Sequence, residues 1–344
     1  MQQTGALPEM ISPYMRALIE KTGGPEGPIG LQFIQRDSSL DEEDHTDPLI
    51  EGIHEEAPGI VYKYRGQLNN KGDVEYHGRV LWLISRFCAT YCRFCTRGRM
   101  VGVPTDKSVP GGETLAQKPY LDVDDIEAVV AFIRAHPEIN EVILSGGDPM
   151  IAPKPYLEMI FNTLALLQES GSIDFVRIHT RAPITNPFTI RPWHLELLKK
   201  IRLPHMVLHI NHPAEITDEV KQLVLLIQKE TDTVLLSQSV LLKGVNDNVT
   251  TLYSLFTELA KIGIRPYYLH HNDPVSWAKD FTVPIKDSIQ IWQTLRQRLS
   301  GIASTAKFVI DTPYGVGKVP IPDGRWEEDY SVFYDFNNVK HRMR

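Results

Sequence analysis

The chain has 344 residues, with 36 Lys and Arg against 43 Asp and Glu, and its formal net charge is −7. It carries no long basic run and nothing near 18 consecutive apolar residues, which argues against a nucleic-acid partner and against a membrane span. Apolar residues make up 42% and charged residues 23%, ordinary values for a globular chain long enough to bury a full core.

Residues 1–56 are polar and acid-rich, with Asp41-Glu42-Glu43-Asp44 and Glu55-Glu56, and read as a solvated helical arm leading into the fold. From about residue 80 to 312 one pattern repeats. Short apolar, β-branched runs occur at 80–85, 141–147, 175–180, 206–211, 233–240, 266–271 and 307–311. Between them lie amphipathic stretches such as Asp124–His136 and Asp218–Thr231 with helical periodicity. Strands alternating with helices predict βα units and a parallel sheet. Six or seven such units favour an α/β fold built as a partial or full β/α barrel. The expected organisation is an N-terminal arm over 1–56, a barrel core over 57–322 and a short C-terminal tail over 323–344. The N-terminus lacks the charged-then-apolar pattern of a signal peptide, and a reducing, cytoplasmic location is expected.

Nearly every apolar run ends in chemically capable residues: Cys88, then Gly146-Gly147-Asp148, His179 and Arg181, His209 to His212, Gln238-Ser239, His270 to Asp273, and Asp311. In β/α barrels the active site is built from the C-terminal ends of the strands. The only three cysteines are Cys88, Cys92 and Cys95, at CxxxCxxC spacing. Clustered this way they offer no disulfide framework and suit a reducing compartment. They also suit three corners of a 4Fe–4S cube, which normally takes four cysteine ligands. One iron then keeps an open position where S-adenosylmethionine (SAM) could chelate, and the spacing is similar to that of the radical SAM superfamily. A zinc site or three buried thiols are the alternatives, although zinc usually takes a fourth Cys or His.

Gly146 and Gly147 allow close backbone approach, and Asp148 adds a charge suited to the α-ammonium of an amino acid. A GGD segment is otherwise an ordinary turn. Lys318 follows the Gly-rich turn Pro313 to Gly317 and could present its amine to a carbonyl cofactor. A surface lysine is the plainer reading. Asp273 and Asp311 both follow strands on the presumed catalytic face and together could neutralise a substrate cation; each could equally be a turn or cap residue.

Residues 57–322 resemble the lysine 2,3-aminomutase group of radical SAM enzymes, which use pyridoxal phosphate (PLP). The matching segments, in the family's order, are RVLWLISRFCATYCRFCTRGR, EVILSGGDP, VRIHTRAPI, LHINHPAEIT, SQSVLLKGVND, RPYYLHHND and FVIDTPYGVGK. The resemblance implies that Cys88, Cys92 and Cys95 ligate the cluster and that Gly146, Gly147, Asp148, His209 and Gln238 surround SAM. It implies Arg97 as partner of the substrate carboxylate, Asp273 and Asp311 as holders of the distal ammonium of lysine, and Lys318 as the PLP lysine. Tyr64 and Arg79 look like residues flanking PLP. The implied reaction moves the amino group of L-lysine from Cα to Cβ, started by a radical from SAM. A reducing electron donor such as flavodoxin or ferredoxin and a homo-oligomer are expected partners.

Two departures from the family stand out. The chain between Tyr64 and Arg79 is longer than the family's compact spacing, making Tyr76 a rival for the aromatic position. The glycine run before Lys318 is interrupted by Tyr314 and Val316. Other readings are a relative supplying β-lysine for elongation factor P, or an aminomutase for arginine, ornithine or glutamate. More distant ones are a SAM-consuming enzyme acting on a protein and an iron–sulfur electron carrier.

Overall fold

The structure is a computed structural model and describes residues 7–36, 47–102, 119–312, 317–328, 332–334 and 339–342. The acidic run 41–44 and the interrupting residues Tyr314 and Val316 lie outside them.

One ten-stranded sheet organises the chain. In sheet order its strands are β1 (Glu55–Ala57), β2 (Ile60–Tyr64), β5 (Gly78–Ser85), β6 (Ile139–Gly146), β7 (Phe175–Thr180), β8 (His205–His209), β9 (Val234–Leu241), β10 (Arg265–His271), β11 (Lys307–Asp311) and β12 (Lys318–Pro320). The small hairpin of β3 (Gln67–Leu68) and β4 (Val74–Tyr76) stands apart from it. From β5 to β11 every neighbouring pair is parallel, while β2 and β12 run antiparallel at the two flanks. All seven predicted apolar runs are the seven parallel strands. The two edges do not pair with each other, and the sheet is a partial barrel.

Successive strand residues point to opposite faces of a sheet. Here Val80, Trp82, Val142, Leu144, Val176, Ile178, Met206, Leu208, Leu269 and Phe308 all join one buried apolar cluster with the surrounding helices. Those helices include Val123–Ala135, Lys154–Glu169, Asp218–Glu230 and Val249–Lys261. Three start on side-chain caps: Asp122 accepts from Asp125 N, Thr217 from Val220 N and Asn248 from Thr251 N. The alternate strand residues Arg79, Glu141, Arg177, His179, His209, Gln238, Tyr268, His270 and Asp311 line a central cavity.

The first 56 residues are not a solvated lead-in where they are described. Met15, Ile19, Ile29 and Phe33 form a buried cluster against Cys92, and the Arg93 guanidinium donates to the carbonyls of Leu7 and Pro8. Their apolar residues are few but cover the cysteine loop, which therefore has a protein roof. The tail likewise has structure of its own, a three-stranded antiparallel sheet of Arg325–Trp326, Val332–Tyr334 and Lys340–Arg342.

Gly146 and Gly147 join β6 to the cysteine loop. Gly147 N donates to Ser85 O at 2.7 Å, and Asp148 N donates to Phe87 O at 2.6 Å. Gly146 has φ 115°, in the left-handed region. A Cβ on Gly147 would sit 2.2 Å from Phe87 O, which is backbone and has nowhere to go. Gly147→Ala is expected to lose about 3 kcal/mol, the upper end for overpacking. It should appear as a lower urea midpoint at unchanged m-value. Gly301→Ala, where nothing lies within 4 Å, is the control and should stay within about 0.5 kcal/mol of the parent.

Candidate active site

The cavity holds about 790 Å³ and reaches from the cysteine loop down through the barrel. Cys92, Cys95, Arg97, Gly146, His209 and Gln238 meet Tyr64, Arg79, Asp273, Asp311 and Lys318 on its wall. Most of the residues singled out from sequence thus share one chamber.

Tyr64 and Arg79 are register partners across β2 and β5, and the Arg79 guanidinium lies 4.1 Å from the Tyr64 ring centroid. The extra residues between them fold out as the β3–β4 hairpin. Tyr76 is on that hairpin, 54% exposed, donating to Gln67 Oε1 and remote from the cavity. Tyr64 is therefore the aromatic that reaches the chamber. Its hydroxyl lies 3.5 Å from Asp311 Oδ1, bridging the opening of the barrel from β2 to β11.

Asp311 is held by His270, Lys318 and the Tyr64 hydroxyl. His270 Nδ1 sits 2.8 Å from Oδ2, and Lys318 Nζ is paired to Oδ1. Lys318 is opposite Asp311 in the β11–β12 ladder, which places the amine on the carboxylate. Burial pushes the Asp311 carboxyl up, but the His270 hydrogen bond and the His270 and Lys318 charges outweigh it and hold it well below the usual range. Asp273 accepts from Thr96 Oγ1 at 2.7 Å. Its carboxyl is pushed up by burial and by the nearby Asp311 charge. His179 and His209 are driven well below the usual imidazole range, chiefly by burial, and are neutral. His179 Nε2 is buried without a hydrogen-bond partner, and His209 Nε2 meets Asn211 Oδ1 at 3.1 Å.

Three of these residues are already engaged within the protein. The acceptor positions of Asp148 are taken by the protein's own donors. Its carboxylate accepts from Thr180 Oγ1, Arg181 N, Ala182 N and Met150 N, and it is outside the cavity wall. Four donors and full burial make it the clamp that sets the turn after β7. Gly147 also faces the cysteine loop backbone and not the chamber. Arg97 does not have a free fork: its Nε and Nη2 donate to Glu51 at 2.8 and 2.7 Å, and only Nη1 turns elsewhere, 3.4 Å from Ser145 Oγ.

Glu51 and Lys63 were missed. Glu51 sits in a segment read as solvated, yet its acid is buried against Arg97 and held below the usual range, the guanidinium's charge and hydrogen bonds outweighing desolvation. Lys63 is buried on the cavity wall with Leu49 O at 3.0 Å. The signal for Lys63 was available: it is an ionic residue inside the strand pattern IVYKY. The Arg177–Glu141 ion pair on neighbouring strands carried the same alternation signal.

The three sulfurs are embedded in apolar packing. Cys88 and Cys95 lie against Leu7, Tyr91 and Val101, and Cys92 against both Phe33 and Phe94 neighbourhoods. Burial raises the Cys88 thiol well above its ordinary range and pushes Cys95 up to about 12. Arg181 Nη1 donates to Cys92 Sγ at 2.9 Å. Trp277 Nε1 donates to Cys95 O at 3.0 Å and pins the end of the loop.

Residues 82–248 match the Radical SAM superfamily, and with a parallel partial barrel carrying three cysteines after its first parallel strand this defines a radical SAM enzyme. The chain is 34% identical over 313 residues to the L-lysine 2,3-aminomutase of Clostridium subterminale, covering 90% of this chain and 68% of that one. It is 33% identical to that of Acetoanaerobium sticklandii over the same shares of the two chains. It is 36% identical over 286 residues to that of Haemophilus influenzae, covering 82% of this chain and 75% of that one. The chain belongs to the lysine 2,3-aminomutase family and is an isomerase of the aminomutase type. Among the described residues no helix is long and apolar enough to cross a membrane.

Family membership implies a 4Fe–4S cluster and SAM. The cysteine loop fits that group. Three cysteines share one loop packed among apolar side chains, and a cube takes each thiolate at a separate corner. Metal ligation also supplies the stabilisation that buried thiolates lack. Arg181 Nε, buried without a hydrogen-bond partner beside them, is a donor waiting for an acceptor.

The two aspartates should respond to pH with opposite sign. Asp311 is depressed, so its contribution exists above the ordinary carboxyl value of about 4 and is lost as pH falls below it. Asp311→Asn should cost about 3–5 kcal/mol at pH 7, the range for breaking a buried pair, and the deficit should shrink below pH 4. Asp273 is raised, so its ionisation opposes folding as pH rises through about 4. Asp273→Asn should be more stable than the parent at pH 7, with the gain vanishing in acid. Parallel urea titrations at several pH values read both.

Proposed function

We propose that the enzyme converts L-lysine to β-lysine by moving the α-amino group to Cβ, with PLP carried on Lys318. One observation carries the reading. Asp311 already grips a primary ammonium on a four-carbon stem, that of Lys318 itself, which is the group at the end of a lysine substrate.

The cavity residues fit PLP on three counts. Lys318 presents its amine inside the chamber, 5.6 Å from the Tyr268 ring centroid. Arg79 lies against Tyr64 on the same wall, a cation suited to a phosphate. His179 Nε2 has no hydrogen-bond partner among the described residues. PLP bound there supplies an electron-delocalising ring for the migrating nitrogen; the cluster with SAM supplies the radical that abstracts hydrogen.

The chain's own residues do the rest. Lys318 would be the amine that holds a carbonyl cofactor, and Asp311 with Asp273 would be the carboxylates that take the substrate's ε-ammonium. Two carboxylates favour lysine and repel an anionic side chain. The substrate carboxylate meets Arg97 through Nη1, the nitrogen Glu51 does not hold. His209, Gln238 and Gly146 border the space between the cysteine loop and this pocket, where SAM belongs. The apolar roof from residues 7–36 keeps water from the radical chemistry. The setting expected for this reading is a reducing cytoplasm with a flavodoxin- or ferredoxin-type donor.

The test is an anaerobic assay of reconstituted enzyme with SAM, PLP, dithionite and L-lysine. β-Lysine should form without stoichiometric loss of SAM. Steady release of 5′-deoxyadenosine with no β-lysine would sink the lysine assignment. Lys318→Ala should abolish borohydride-trappable PLP. Asp311→Asn should lower kcat/KM for lysine by roughly 30-fold or more, the scale for truncating a buried charge pair.

A further inference from the structure

A further buried ion pair lies outside the substrate chamber and has a different target. Arg181 follows β7 directly, and Asp148 fixes its backbone through both Arg181 N and Ala182 N at 2.7 Å. Its guanidinium is divided between two tasks. Nη1 donates to Cys92 Sγ at 2.9 Å. Nη2 donates to Gln32 Oε1 at 2.6 Å and reaches both Glu215 oxygens at 3.2 Å. Its flat faces lie 4.6 Å from the Phe33 ring centroid and 5.5 Å from that of Phe94. Glu215 is itself 0% exposed and is held by Gln32 Nε2 at 2.8 Å. Neither charge can swing to solvent.

This is a costly arrangement if its purpose is stability alone. Two buried ions are often no better than a well-packed apolar pair. Its geometry suits an electrostatic task at the sulfur instead. Reduction of the cluster adds one negative charge to the site. A guanidinium donating to a ligand sulfur in a low-dielectric surround favours the more negative state, and hydrogen bonds to ligand sulfurs and net charge set such potentials. The Glu215 carboxylate, behind the guanidinium, opposes that effect.

We propose that Arg181 and Glu215 form a redox-tuning pair. Arg181 raises the reduction potential of the cluster through its bond to Cys92, and Glu215 limits the rise while locking the guanidinium in place. These are positioning residues acting through Cys92, and their effect is independent of PLP, of the substrate and of the acid pair.

The experiment is a redox titration of the reconstituted cluster, followed by electron paramagnetic resonance, with SAM and substrate absent. Arg181→Gln should lower the midpoint and Glu215→Gln should raise it. Each should change the ratio of reduced to oxidised cluster roughly tenfold at a fixed ambient potential, equivalent to about 59 mV for one electron. Opposite signs are the signature, because a purely structural role would weaken the site in both variants alike. Midpoints equal to the parent in cluster-replete variants overturn the proposal, as do two shifts of the same sign. If Arg181→Gln fails to assemble a cluster, Glu215→Gln decides alone, and no rise overturns the proposal. If neither assembles one, the pair serves assembly and the tuning proposal falls. Failure of lysine turnover with both shifts intact would count against the lysine reading only.

Discussion

The alternation of side chains along seven parallel strands is the constraint from which the remaining architecture follows. A curved sheet must cover its outer face with helices, so Val142, Leu144, Val176, Ile178, Met206 and Leu208 are apolar and buried together. The inner face then has no helix to satisfy. It is free to carry Glu141, Arg177, His179, His209, Gln238 and His270 around one cavity. Stability and chemistry are thus separated residue by residue, and a one-residue slip in register would exchange them.

Within that cavity charge is managed by pairing. Arg97 is matched by Glu51, Arg177 by Glu141, and Lys318 by Asp311. Among the described residues Asp273 has no such ion pair; burial and the Asp311 charge push its carboxyl up, and Thr96 is its hydrogen-bond donor. The pairings leave two distinct regions. One, around the cysteine loop, is apolar and roofed by the N-terminal segment; the other, around Asp311 and Lys318, is strongly ionic. An enzyme that generates a radical in one place and handles a charged amino acid in another needs both, side by side and shielded from water.

The cysteine loop itself depends on contacts from across the chain. The GG segment after β6 supplies Gly147 N to Ser85 O, and Asp148 N to Phe87 O. Asp148 then clamps the turn carrying Arg181, which reaches Cys92. Gln32 from the N-terminal segment and Glu215 from the turn after β8 complete the set. A motif that looks like a ligand loop in sequence therefore works in large part as a bracket between three strand ends.

Several levels of this were legible in the residues alone. The seven strands and their helices follow from periodicity, because a half-buried strand and an amphipathic helix each write their period into the chain, and the number of units favoured a barrel without deciding it. The three cysteines and the polar strand ends were visible as an outlying cluster and a repeated position. Which polar residue faces a ligand and which is consumed by the fold was not, because that depends on partners distant in sequence. Asp148 is spent on residues 180 to 182, and the Arg97 fork on Glu51 in a segment that reads as solvated. The pairing of Tyr64 with Arg79, and the exclusion of Tyr76, needed the register that lets the intervening hairpin fold outward. Composition and spacing determined the class of chemistry; only the tertiary structure decided the pairings, since a buried charge takes its role from whichever opposite charge the fold places beside it.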